Sequence, residues 1–183
     1  MPLPHVEKLL QCVWPPPRAR NLLDVYVLLD AARDEAILPA IQGCGLEVDC
    51  LFSGVMPAEL ARLAPYLVRL RRSSPFPGWL AEHAWRQNWG VFLQATGDRS
   101  MVRKHLQSLL LVRTEQGREL YFRYYDPRVL RAYLPTCTAQ ELQHLFGPVR
   151  SFFAESEDGA TLLQYSLSAQ QVSPLAVSPH PVA

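Results

Sequence analysis

The chain has 183 residues, 49% of them hydrophobic, enough to bury a full core in one domain without disulfides or metal. Lysine and arginine number 18 against 17 aspartates and glutamates, a net charge of +1, so no overall field gathers phosphates or anionic lipid, and neither nucleic acid nor a membrane surface is an expected partner. No apolar run approaches the roughly 20 residues of a membrane helix, and the start Met1-Pro2-Leu3-Pro4-His5 lacks the pattern of a signal peptide, so the expected location is the cytoplasm.

Residues 1–21 read as an N-terminal segment, amphipathic from His5 to Val13, followed by a proline-rich linker at Trp14-Pro15-Pro16-Pro17. Leu22 to Asp30 is short and nearly continuous in apolar residues, the pattern of a buried strand. A helix follows, with Asp34 as cap and Ile37, Leu38 and Ile41 inward, and Gly43 and Gly45 stop it. Val48 to Phe52 is a second strand, Pro57 to Ala64 a helix with proline at its first position, and Tyr66 to Leu70 a third strand. Past the loop Arg71 to Gly78, Trp79 to Gln87 reads as helix, Trp89 to Ala95 as strand, and Asp98 caps a helix running to about Leu109. This alternation predicts a largely parallel or mixed sheet with flanking helices.

The second half changes rhythm. Leu110 to Thr114 and Glu119 to Tyr125 flank a loop of hairpin length and predict an antiparallel pair. Asp126-Pro127 starts a helix with Leu130 and Leu134 inward, and Thr138-Ala139-Gln140-Glu141 is a capping box for another that ends at Gly147-Pro148. A final strand pair spans Val149 to Ala154 and Thr161 to Leu167. From Ser168 the chain is uncharged and rich in Ser and Pro, and reads as a flexible tail. The fold class is therefore mixed α+β: an α/β-type sheet with flanking helices, in two lobes, about 22–109 and 110–167, the second with antiparallel strands and two short helices.

Chemical motifs are missing. There is no Gly-x-Ser-x-Gly elbow, phosphate loop, His-Glu-x-x-His or dinucleotide fingerprint. The five histidines sit at no metal-ligand spacing, and Cys12, Cys44, Cys50 and Cys137 form no Cys-x-x-Cys pair, so no cofactor and no metal are expected and the cysteines read as reduced. Acidic pairs such as Asp34-Glu35, and Glu155 with Glu157-Asp158, read as surface caps and loops.

Two clusters remain. Trp79, Trp85 and Trp89, with Phe92, suit a core or a protein interface. In Tyr121-Phe122-Arg123-Tyr124-Tyr125-Asp126-Pro127-Arg128, strand alternation puts Tyr121, Arg123 and Tyr125 on one face, with Arg128 and Arg131 on the next helix. That arrangement serves either a buried ion pair pinning strand to helix or a polar patch for a partner.

Phe122-Arg123-Tyr124-Tyr125-Asp126-Pro127-Arg128-Val129-Leu130, then Leu134-Pro135 and Leu145-Phe146-Gly147-Pro148-Val149, resembles the type VI secretion effector adaptors, the VasW-like or Tap-like chaperones. Val27 to Asp34, Cys50 to Gly54, Ala64 to Val68 and Trp89 to Leu93 extend the resemblance over about Leu22 to Tyr165. It implies a bacterial cytosolic adaptor without catalysis, which binds a secreted toxin effector and helps load it onto a VgrG-type spike protein. The tentative partner-binding residues are Arg123, Tyr125, Asp126, Arg128, Arg131, Trp79, Trp85 and Trp89, and Arg128→Glu is the variant the sequence suggests to test them. The competing readings are a small hydrolase or transferase with an unrecognised site, and an RNA-binding module using Arg69, Arg71, Arg72, Arg103 and Lys104.

Overall fold

The computed structural model describes residues 11–15, 23–54, 57–114, 116–168 and 171–177. Its frame is a seven-stranded sheet in which the first strand in sequence is an inner one. β1 (Asp24–Asp30) pairs with β3 (Pro65–Arg69) on one side and β4 (Gly90–Ala95) on the other. Outside β3 lies β2 (Val48–Cys50); outside β4 follow β7 (Val149–Glu155), β8 (Leu162–Ser168) and β9 (Gln171–Val177). A separate hairpin, β5 (Leu111–Arg113) with β6 (Glu119–Tyr121), stands apart from this sheet.

The mixed α+β class is as expected, but every pairing is antiparallel, in place of the parallel or mixed sheet the alternation suggested. The reason is a matter of neighbours. Two of the strand pairs joined through a helix do run parallel, β1 with β2 and β3 with β4, because each pair is antiparallel to the strand between them. Another strand is inserted inside each crossover, which local sequence does not disclose.

Side chains of β1 alternate between two apolar layers. Tyr26 and Leu28 join Leu93, Phe152 and Tyr165 against α4 (Arg99–Ser108), α5 (Pro127–Tyr133) and α6 (Ala139–Phe146). Val25, Val27 and Leu29 join Val68, Phe153 and Leu162 against α1 (Ile37–Gly43) and α3 (Phe76–His83). Because β4 pairs with β7, one sheet serves both halves of the chain across the expected lobe boundary near Leu109.

The caps follow side-chain chemistry. Asp98 accepts from the Met101 amide at 2.8 Å, and Thr138 and Glu141 exchange the two bonds of a capping box. Asp34 instead accepts from Ala36 in a local turn, so α1 starts without a side-chain cap; Ile37 and Ile41 are buried and Leu38 half-buried. Helix α2 is only Ala58–Ala61, with Pro57 as its N-cap, and buries no residue. The helix expected over Trp79 to Gln87 begins three residues earlier, because Pro75 and Pro77 fit a first turn whose amides need no partner.

The stretch expected to be a flexible tail contains β9, paired with β8 from Leu162↔Val177 to Ser168↔Gln171. An open edge supplies backbone partners that an uncharged segment can use, whatever its Ser and Pro content; residues 178–183 lie outside the described ones. So do most of the N-terminal segment and linker, but residues 11–13 form a helical turn. Val13 is fully buried, and its carbonyl accepts from Gln94 Nε2 at 2.8 Å.

Candidate functional site

At one end of the sheet the polar residues of the second cluster converge. The strand expected through Tyr125 stops at Tyr121; residues 124–126 turn, closed by the Asp126 amide on the Arg123 carbonyl at 3.0 Å. The turn sends Tyr124 and Tyr125 into the core, and the Tyr124 hydroxyl donates to the Leu106 carbonyl at 2.7 Å. Tyr125 and Asp126 are thus buried, and what reaches the surface is the guanidinium of Arg123 and that of Arg128, their side chains 57% and 52% exposed.

Asp126 caps α5. Its Oδ1 accepts from the Arg128 amide at 2.9 Å and from Arg128 Nε at 3.0 Å, and its Oδ2 takes Arg128 Nη2 at 2.5 Å. Burial works to raise this carboxyl, but the bonds from Arg128 outweigh it and hold the group below the usual range.

Sequence reasoning missed the second acid. Asp30, the last residue of β1, is 1% exposed; its Oδ1 accepts from Ala32 at 3.0 Å, while Oδ2 makes no hydrogen bond and faces Arg123 Nη1 at 3.9 Å. Burial raises its carboxyl against the pull of the Ala32 amide, Arg123 and Arg33. Tyr121 lies in the same field, its phenol pushed up to about 12 by burial first.

A third buried acid closes the end of β7. Glu155 takes the amides of Arg86 and Asn88, and Arg131 Nη1 donates to its backbone carbonyl, which ties α5 to the sheet. Arg86 and Asn88 hold φ of +66° and +52°, so the loop after α3 wraps around this carboxylate. Read from sequence as part of an acidic surface loop, Glu155 is instead buried, since pairing with Leu162 extends the strand one residue further. Its carboxyl is raised by burial, and its Oε2 is unpartnered.

These opposite shifts predict opposite pH profiles. Asp126 stabilises the fold above the ordinary carboxylate range and loses that contribution as pH falls below that range through the lowered folded value, so Asp126→Asn costs about 1–2 kcal/mol at pH 7 and progressively less in acid. Glu155 is the reverse: its raised value favours the fold below the ordinary range, and this is lost as pH rises through the folded value, so Glu155→Gln gains stability relative to wild type as pH rises. Urea titrations from pH 3 to 8 read both, and parallel curves for the two variants would contradict the assignment.

The tryptophans lie on the other face of the sheet. Trp79 stacks between Phe76 at 5.7 Å and His83 at 4.8 Å and leans on buried Trp89 at 5.9 Å, while half-buried Trp85 lines a small cavity with Leu80, Gly90 and Glu155. They pack the second apolar layer, and the Asp30 amide, donating to the Trp89 carbonyl at 2.8 Å, links them to the Arg123 cluster.

The hairpin that leads into Arg123 carries what the tryptophans do not, an exposed apolar surface. Leu111, Val112, Leu120 and Tyr121 are all exposed on it, Leu111 to 60%. A groove lies beside it, walled by Leu109, Phe122, Tyr133 and Leu145, with Glu141 and His144 on α6. The sequence marked this hairpin by its turn but left its exposure open, since alternation alone does not say whether a second layer covers a ribbon. Among the described residues no group of three His, Cys, Asp or Glu is placed to hold a metal ion, and no helix is long and apolar enough to cross a membrane.

A family model described as "Domain of unknown function (DUF4123)" matches residues 25–144, from β1 into α6. No curated protein and no solved structure matches the chain.

Proposed function

Since the chain belongs to the DUF4123 family, we propose that it is a non-catalytic adaptor of the bacterial cytosol, which binds a type VI secretion effector and helps load it onto a spike protein for export. The observation that carries this reading is the exposed apolar hairpin running directly into the surface guanidiniums of Arg123 and Arg128. Protein interfaces pair an apolar centre with a polar rim rich in arginine, and a chain that must hold a client and then release it needs an interface of moderate size. The arrangement of Asp30 and Asp126 behind these arginines fits a rim whose side chains are oriented before the partner arrives.

Retention of a large secreted toxin, with or without its spike protein, on the immobilised full chain at moderate salt is the supporting result. Retention of nothing, or of RNA alone, overturns the reading. The clean variant is Arg123→Ala, because Arg128 is committed to buried Asp126 and Arg128→Glu would leave that acid unpaired against a new negative charge. Arg123→Ala should weaken the complex about tenfold, the effect of an interface arginine worth more than 1 kcal/mol, while urea titration shows the chain still folded under the binding conditions despite the charge lost opposite Asp30; unchanged affinity removes Arg123 from the interface.

A further inference from the structure

We propose that the outer edge of β5 receives an extended apolar segment of the partner as an added strand, with its alternate side chains in the groove between β5 and α6. The hydrogen-bond pattern of the hairpin sets this edge. The Phe122 amide donates to the Leu110 carbonyl at 2.8 Å and the Thr114 amide to the Arg118 carbonyl at 2.9 Å, so the inward-facing residues of this strand are Leu110, Val112 and Thr114. The N–H and C=O groups of Leu111 and Arg113 consequently point away from β6, the unpaired row that strand addition uses.

The groove lies on that side. Leu111 and Val112 of β5 line it, and from the other strand the lining takes in Phe122 at the base of the hairpin but none of Glu119–Tyr121. A strand laid along the edge would place every second side chain against Phe122, Tyr133 and Leu145 and return the others to solvent. Its charge is set by the rim: Glu141 on the α6 wall uses one carboxylate oxygen, Oε2, in the capping box and keeps its negative charge toward the groove, whereas Arg113 on the β5 side is neutralised by Glu119 at 3.0 Å. The segment is therefore apolar at alternate positions and carries a lysine or arginine opposite Glu141. A two-stranded ribbon of three-residue strands is marginal alone, and a third strand supplies the pairing it lacks.

The inference deepens the adaptor reading, on which the partner's identity rests, and its test separates the two. A display library of unstructured nonapeptides is panned against the full chain, and binders are measured on wild type, Arg113→Ala and Arg113→Pro. Both variants lose the guanidinium and its pair with Glu119, but only proline removes the outward N–H, and neither touches the backbone bonds within the hairpin. The expected binders alternate apolar residues, carry a basic one, and bind the alanine variant within threefold of wild type and the proline variant at least tenfold more weakly. Hydrogen exchange at residues 111 and 113 should slow on binding. Should the proline variant lose its fold, peptides N-methylated at alternate positions read the same contact on the wild-type chain. No enrichment, apolar residues spaced by three and four as on a helix, or equal binding to Arg113→Pro overturns the added strand. If the chain retains its secreted client whether or not residue 113 is proline, this mode alone falls; if wild type retains no client, the adaptor reading falls.

Discussion

Gly90→Ala is expected to cost about 3 kcal/mol or more, because a Cβ at this position would lie 2.0 Å from the Leu28 carbonyl oxygen and 2.9 Å from its carbon. Both are backbone atoms of β1, which is locked between β3 and β4 and has no free direction in which to yield. The same strand end supports Asp30 and the Glu155 loop, so the damage is placed where the candidate site is built. Gly45→Ala is the comparison: it has no neighbour within 4 Å but holds φ +66°, and should lose only about 1 kcal/mol through backbone strain. Urea midpoints of the two variants measure the difference, and equal losses would mean that close approach does not govern Gly90.

Phe152→Ala should cost about 3–5 kcal/mol. The ring is fully buried, meets Phe146 edge-to-face at 5.2 Å, and stands in register with Leu93 on one side and Tyr165 on the other. It is thus the point at which α6, β4 and β8 share one contact, and nothing nearby is free to fill the cavity. Leu120→Ala, on the exposed hairpin, should change stability by no more than about 0.5 kcal/mol. A small loss at Phe152 together with a large one at Leu120 would reverse the roles of core and surface.

The elements that were legible in the sequence are those whose signal is local. Asp98, Asp126-Pro127 and the Thr138–Glu141 box located three helices almost to the residue, because a cap acts over a single turn. The apolar runs located β1, β4 and β7 for a similar reason: a strand buried on both faces shows its burial in its own composition. What stayed hidden was set by distant partners. Neighbouring strands determined the antiparallel order, and the free edge of β8 drew the uncharged stretch after Ser168 into β9.

The site divides along the same line. Arg123, Asp126 and Arg128 stand out in sequence as an alternating polar and aromatic string, yet the turn at residues 124–126 sends Tyr125 inward, where strand alternation had placed it beside Arg123. Asp30 gave no sign of its part, since an acid closing an apolar strand reads as a solvated end. The cation that faces it, Arg123, lies some ninety positions later in the chain. Glu155 was hidden likewise, because its partners, the amides of Arg86 and Asn88, belong to another half of the sequence.

The position of β1 inside the sheet, between β3 and β4, also sets an order of events during synthesis. This strand emerges from the ribosome first, but its neighbours arrive only with residues 65–69 and 90–95, and the strand beyond β4 only with residues 149–155. Until residues 65–69 have been translated, a seven-residue segment with five consecutive apolar residues, Val25 to Leu29, has both backbone edges bare, and one of them stays bare until residues 90–95 follow. The nascent chain therefore depends on speed of elongation, or on a holding factor, to keep this inner strand from pairing with another copy.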